Sequence, residues 1–200
     1  MTEVDDAVGA IRDGKLAIVP TDTVYGLATT PYAEAAVRGL YLAKGRAEQQ
    51  PTALVLRDIE LLLECLPELD GALERVARTL LPGPYTLVLP NLARRFPWLA
   101  GSRPETIGVR IPALAGAAHD LLTRVGALVA TSANLPGGPD PRTLDDVPAQ
   151  LRAAAAALVD GGELPGTPST VIDLTGPEPL VLREGAVPAD EALRVVASVL

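Results

Sequence analysis

Apolar residues recur along this chain in two alternating periods. Leu16-Ala17-Ile18-Val19 is an unbroken apolar run that stops at Pro20, the pattern of a buried strand. Thr30-Pro31 then supplies a capping hydroxyl and a proline suited to a first helical turn, so a helix is expected to begin there. Val37, Leu40, Tyr41 and Lys44 fall at helical spacing on one face, which places Lys44 on the buried stripe. Gly45 reads as the helix stop, Arg46 follows it, and Ala53 to Leu56 reads as the next strand.

The alternation continues. Leu73, Val76, Ala77 and Leu80 mark a second helix, ended by Pro82-Gly83-Pro84. Strands are expected at Thr86 to Leu89 and Ile107 to Ile111, and a helix around Ala117 to Val125 leads into the strand Ala127 to Ala130. Thr143, with Asp146 three residues on, predicts a capped helix through the alanine tract to Asp160-Gly161-Gly162. Strands Thr170 to Leu174 and Leu180 to Leu182 follow, then a helix carrying Leu193, Val196, Ala197 and Leu200. Alternating strands and helices predict an α/β fold, and the consecutive strands make its sheet mixed. No repeat or linker divides the chain, so one domain over 1–200 is expected.

Composition narrows the function. A net charge of −8 disfavours sequence-indifferent nucleic-acid binding, which needs a basic face, but leaves room for a small basic pocket. The single cysteine leaves no internal disulfide and no cysteine-based metal cluster. No charged start leads into an apolar leader and no apolar run reaches membrane-spanning length, so a cytoplasmic protein without membrane contact is expected.

Four polar clusters interrupt the apolar elements at strand ends: Thr21-Asp22-Thr23, Lys44-Gly45-Arg46, Thr131-Ser132-Ala133-Asn134 and Ser169-Thr170. Arg110 sits inside a strand and Arg183 ends one. Each taken alone is an ordinary turn, helix cap or strand-end charge. Together, at the strand ends where α/β sheets bind ligands, they predict a site. Cys65 reads as a small hydrophobe, His119 has no second histidine, and Asp5-Asp6 and Asp145-Asp146 fit helix starts. Neither a G-x-x-x-x-G-K-[ST] loop nor a G-x-G-x-x-G fingerprint is present. With no evident nucleophile or general base, the chemistry suited to these residues is charge neutralisation and positioning on a phosphate-bearing small molecule.

The ordered segments PTDTVYGLATT, KGRAEQQP, LPGPYTLVLP, TIGVRIP, TSANLPGGPDPRT, PSTVID and LREGAV, spanning about Gly14 to Val187, resemble the YrdC-like threonylcarbamoyl-AMP synthases in their short form. The resemblance implies a twisted mixed sheet with flanking helices around a concave, positive cavity. It implies a nucleotidyltransferase that condenses L-threonine, bicarbonate or CO2 and ATP, with Mg2+, to threonylcarbamoyl-AMP and pyrophosphate. A partner transferase complex then modifies an adenosine beside the tRNA anticodon, with a weak tRNA contact by this chain.

By residue, the resemblance places Lys44 and Arg46 at the phosphates as the catalytic pair. It adds Gln50, Thr106, Asn134, Arg142 and Arg183 as ATP contacts, and Thr23, Arg110, Ser132 and Ser169 as threonine contacts, with no resident metal. Ala47, Gln50, Val55, Ala28 and Pro136 depart from the commoner residues, Val55 standing where some members carry a histidine. The rival readings are an adenylating enzyme that uses carbamoyl phosphate, an RNA-binding module of the same fold, and a paralogue without synthase activity.

Overall fold

The computed structural model describes residues 2–47 and 49–200. In chain order it runs α1 (Glu3–Arg12), β1 (Ala17–Val19), β2 (Gly26–Thr29), α2 (Glu34–Lys44), β3 (Ala53–Leu56), α3 (Ile59–Cys65), α4 (Gly71–Leu80) and β4 (Tyr85–Pro90). It continues through β5 (Thr106–Arg110), α5 (Gly116–Val125), β6 (Ala127–Ser132), α6 (Ala149–Ala154), β7 (Ala157–Leu158), β8 (Thr170–Asp173), β9 (Leu180–Arg183) and α7 (Ala189–Ala197). The strands form one nine-stranded sheet, ordered β7-β1-β2-β6-β3-β5-β4-β8-β9. Pairing is mixed: β3 runs parallel to β5 and antiparallel to β6, and β4 runs parallel to β8.

The sheet's two faces are treated differently, and this makes the cavity. On one face Ile18, Leu27, Leu54, Leu56, Leu87, Val109 and Ile172 bury against the apolar stripes of α2, α4, α6 and α7. On the other, Ala17, Val19, Ala28, Val55 and Leu128 bury against Val4, Val8 and Ile11 of α1 and Leu121 and Leu122 of α5. These two helices cover the β7-β1-β2 side. Farther along that face the strands carry small or short side chains: Ala53 pairs with Ala130, Val88 with Gly108 and Thr86 with Val171. A hollow opens above them.

Helix ends deliver the site. α1 opens on a reciprocal capping box between Thr2 and Asp5. α2 ends as expected at Gly45, whose φ of 67° is left-handed. The Gly45 N–H donates to Leu42 O and the Arg46 N–H to Tyr41 O, which closes the helix and turns Arg46 away from its axis.

Two expectations are corrected, and β2 and α3 are elements the pattern did not show. Thr30-Pro31 does not start α2: Ala33 is the N-cap with no side-chain cap, and Thr30 Oγ1 instead accepts from the Tyr32 N–H. The chain is still leaving β2, a strand the pattern hid because Gly26 and Thr29 leave only Leu27 and Ala28 as apolar side chains between them. α3, capped by Asp58 Oδ1 accepting from the Leu61 N–H at 2.8 Å, was hidden in the apolar run around Cys65. Thr143 and Asp146 do exchange capping bonds, at 2.8 and 3.3 Å, but close a turn. The helix there is only Ala149–Ala154, beginning after Pro148. The alanine tract then yields to pairing of Ala157 with Ala17 of β1, a case of tertiary contact overriding helix propensity.

Gly45→Ala tests the α2 terminus. Among the described residues, chain neighbours aside, no atom lies within 4 Å of the added Cβ, so backbone strain is what acts. Urea unfolding should show a loss of about 1–2 kcal/mol.

Candidate functional site

The hollow has a volume of about 460 Å³, within the range of small-molecule sites. Ala53, Val88, Gly108, Ala130 and Val171 form its floor, and Pro51, Ala100, Pro168 and Leu182 add apolar wall. Thr23, Thr86, Thr106, Thr131, Ser132 and Ser169 supply hydroxyls. A side recess of about 50 Å³ continues past Arg110 towards Thr21, Gly26, Val55 and Pro112.

Four arginines line the cavity: Arg46, Arg103, Arg110 and Arg183. No aspartate or glutamate lines it among the described residues. Two of the arginines have carboxylate partners set back from the wall. Arg110 Nη2 pairs with Asp22 Oδ1 at 2.6 Å, and Arg103 Nη1 with Asp173 Oδ2 at 2.9 Å. The other two bond only to neutral groups among the described residues. Arg46 donates to Thr131 Oγ1 at 3.2 Å and Pro51 O at 2.6 Å. Arg183 donates to Ser169 O at 2.8 Å and Ser169 Oγ at 3.2 Å. Burial lowers the pKa of each below its ordinary value; repulsion from Arg183 adds to the shift on Arg46, while Asp140 offsets part of that on Arg183.

Among the described residues, three buried side-chain polar atoms lack a hydrogen-bond partner: Arg46 Nε, Thr52 Oγ1 and Arg110 Nε. All three belong to residues around this cavity. A buried orphan donor costs about 1–3 kcal/mol, so such a cluster is characteristic of a functional site.

Gly185 brings Arg183 to the wall. A Cβ there would meet Pro168 O and would lie 2.6 Å from the Ser169 carbonyl carbon, so a glycine is what lets the chain after β9 lie on the Ser169 backbone. Ser169 is buried and shares a 2.8 Å hydrogen bond with Thr86. Thr23 is also buried, with its hydroxyl 3.3 Å from Arg110 Nη2 and 3.0 Å from the Thr21 hydroxyl.

Seven sequence-predicted residues thus meet in one hollow: Thr23, Arg46, Thr106, Arg110, Ser132, Ser169 and Arg183. Four do not line it. Lys44 is 5% exposed, and its ammonium is spent on Ser132 O, Ser132 Oγ (3.2 Å) and Asn134 Oδ1 (2.7 Å). It braces the turn after β6 from behind. Asn134 completes that brace by donating to Gly138 O at 2.7 Å. Arg142 pairs outward with Glu163 at 2.7 Å, and Gln50 is exposed. Sequence reading missed Arg103, Thr52 and Thr86, and had the charge partner Asp22 only as a member of the first polar cluster. Only Asp22 gave a signal, as the acid between two threonines in the first polar cluster.

A family model, Sua5_yciO_yrdC, described as telomere recombination, matches residues 9–185. The chain belongs to this family. It is 36% identical over 194 residues to the threonylcarbamoyl-AMP synthase of Pyrococcus abyssi, covering 96% of this chain and 57% of that protein. It is 33% identical to the threonylcarbamoyl-AMP synthase of Sodalis glossinidius, covering 92% of this chain and 96% of that protein. The crystal structure of P. abyssi Sua5 complexed with L-threonine superposes with a TM-score of 0.87 at 35% identity, over 100% of this chain and 59% of that one. The YrdC-like mixed sheet is therefore the fold of this chain. Relatives of both lengths occur, and the chain spans little more than half of the Pyrococcus protein.

Lys44 offers a test of the brace. Burial first, then repulsion from Arg46, pushes its pKa down from 10.5 to about 8, against attraction by Asp140. Between those values the unfolded chain holds a proton that the folded one has released, so this group raises stability as pH climbs from about 8 to about 10.5. Urea unfolding of the wild type and of Lys44→Met at pH 7.5 and pH 10 should show the difference between them shifting in favour of the wild type at the higher pH.

Proposed function

We propose that this chain is an L-threonylcarbamoyladenylate synthase. The observation that carries the reading is the pair of guanidiniums, Arg46 and Arg183, which among the described residues have only neutral partners, around a hollow whose floor is apolar. A polyphosphate would supply the missing charge, and its oxygens would satisfy the orphan Arg46 Nε. Relatives named threonylcarbamoyl-AMP synthase at both lengths support the activity, and a relative crystallised with L-threonine supports the amino acid.

In this reading the threonine amine adds to CO2 and loses a proton, or condenses with bicarbonate and releases water, to give an N-carboxylate. That carboxylate attacks the α-phosphorus of ATP, forming the mixed anhydride as pyrophosphate leaves. Arg46 and Arg183 neutralise charge on the phosphates, and Arg110 with Thr23 and Ser169 orients the amino acid. Lys44 acts one layer back, fixing the Ser132 wall. No covalent intermediate on the protein is needed. The cavity offers no carboxylate for a metal, and no cluster of three potential ligands occurs among the described residues. Mg2+ is therefore proposed to enter on the nucleotide, held by phosphate oxygens and water. A partner transferase would pass the threonylcarbamoyl group to the tRNA adenosine, in the cytoplasm; no helix among the described residues is long and apolar enough to cross a membrane.

Mass spectrometry of the protein with ATP, Mg2+, bicarbonate and L-threonine should detect the acyl-adenylate, with serine as the control amino acid. Activity with carbamoyl phosphate in place of threonine and bicarbonate, or RNA binding without ATP turnover, would sink the reading. Arg46→Ala and Arg183→Ala should each stay folded and lose about a hundredfold in threonine-dependent pyrophosphate release.

A further inference from the structure

The four cavity arginines are not equivalent, and the difference lies in their carboxylates. Arg110 is the one most deeply placed: its side chain is 13% exposed, against 47% for Arg103. A cation that far from water, left without a partner, would be the strongest anion trap in the hollow. Asp22 prevents this. Its side chain is 8% exposed, its Oδ1 accepts from Arg110 Nη2 at 2.6 Å, and its Oδ2 accepts from the Ala113 N–H at 3.2 Å. Both carboxylate oxygens are therefore fixed, and Asp22 does not line the cavity itself. Arg110 keeps a second bond to Thr23 Oγ1, and its buried Nε has no partner among the described residues. What remains is an ion pair that is close to neutral overall but still presents directed guanidinium donors.

We propose that Asp22 is a positioning residue that sorts anions inside the cavity. By pairing with Arg110 it leaves donors fit for one carboxylate and withholds the charge a polyphosphate needs, so phosphates go to Arg46 and Arg183. The amino-acid half of this assignment rests on the synthase reading; the phosphate half does not. A purely structural ion pair at the same place would hold the fold together without directing ligands.

The test is titration calorimetry with inorganic pyrophosphate, which needs no turnover. Asp22→Asn keeps an acceptor for Arg110 and removes the charge. It should bind pyrophosphate about tenfold more tightly than the wild type, while the threonine KM rises about tenfold and the protein remains folded. Unchanged or weaker pyrophosphate binding by folded Asp22→Asn overturns the proposal. Should that variant fail to fold, Asp22→Asn with Arg110→Met replaces the buried pair by neutral groups, a change often tolerated. The double variant should match the wild type for pyrophosphate and lose threonine affinity. A tenfold or larger fall in its pyrophosphate affinity would mean that Arg110 holds phosphate in the wild type, and would equally overturn the proposal. If the wild type makes no adenylate, the synthase reading fails, and the pyrophosphate comparison still decides the sorting.

Discussion

The structure turns on positive charge gathered at one hollow without negative charge to match it: Arg46 is half-buried and Arg183 stands exposed at the wall. Arg46 and Arg183 reach a hollow whose floor is apolar, bond only to neutral atoms among the described residues, and repel each other. Taking an ion even partly out of water is unfavourable unless something pairs with it. An incomplete ion pair of this kind is explained by a ligand that completes it. The whole chain carries a net charge of −8, yet four arginines and, among the described residues, no carboxylate line the hollow.

The fold accommodates this cost by covering one sheet face fully and the other only in part. α1 and α5 seal the β7-β1-β2 side, while Ala53, Gly108 and Ala130 keep the uncovered part low and open. Around that floor, chain ends aim the side chains. The left-handed Gly45 ends α2 and releases Arg46, and Gly185 lets Arg183 lie on Ser169. Lys44 is one residue before Gly45 and does something different: it is locked into Ser132 and Asn134, and so holds the wall that Arg46 leans on through Thr131.

Much of this was legible in the sequence, for stated reasons. β3 was readable to the residue because its four apolar residues stand between polar neighbours, and Lys44 was placed correctly on the buried stripe by helical spacing. That same spacing could not say whether the buried ammonium faces the ligand or the protein; only the position of Ser132 and Asn134, 88 and 90 residues on in the chain, decides it. β2 and α3 escaped because neither shows a clean period. The helix predicted from Thr143 failed because the capping pattern is local, whereas pairing of Ala157 with β1 is not. Arg142 and Gln50 followed the family pattern into the site, yet the structure turns Arg142 outward to Glu163 and leaves Gln50 exposed. Arg103 and Thr52 were missed because nothing in their neighbourhood marks a loop as a cavity wall.

The most direct measurement is a crystal structure of this chain with ATP and Mg2+ bound. The account predicts the phosphates between the Arg46 and Arg183 guanidiniums, Arg46 Nε among their donors, and the Lys44 ammonium still on Ser132 and Asn134. Phosphates seated on Lys44, or bound outside the hollow with Arg46 Nε still unpartnered, would contradict it.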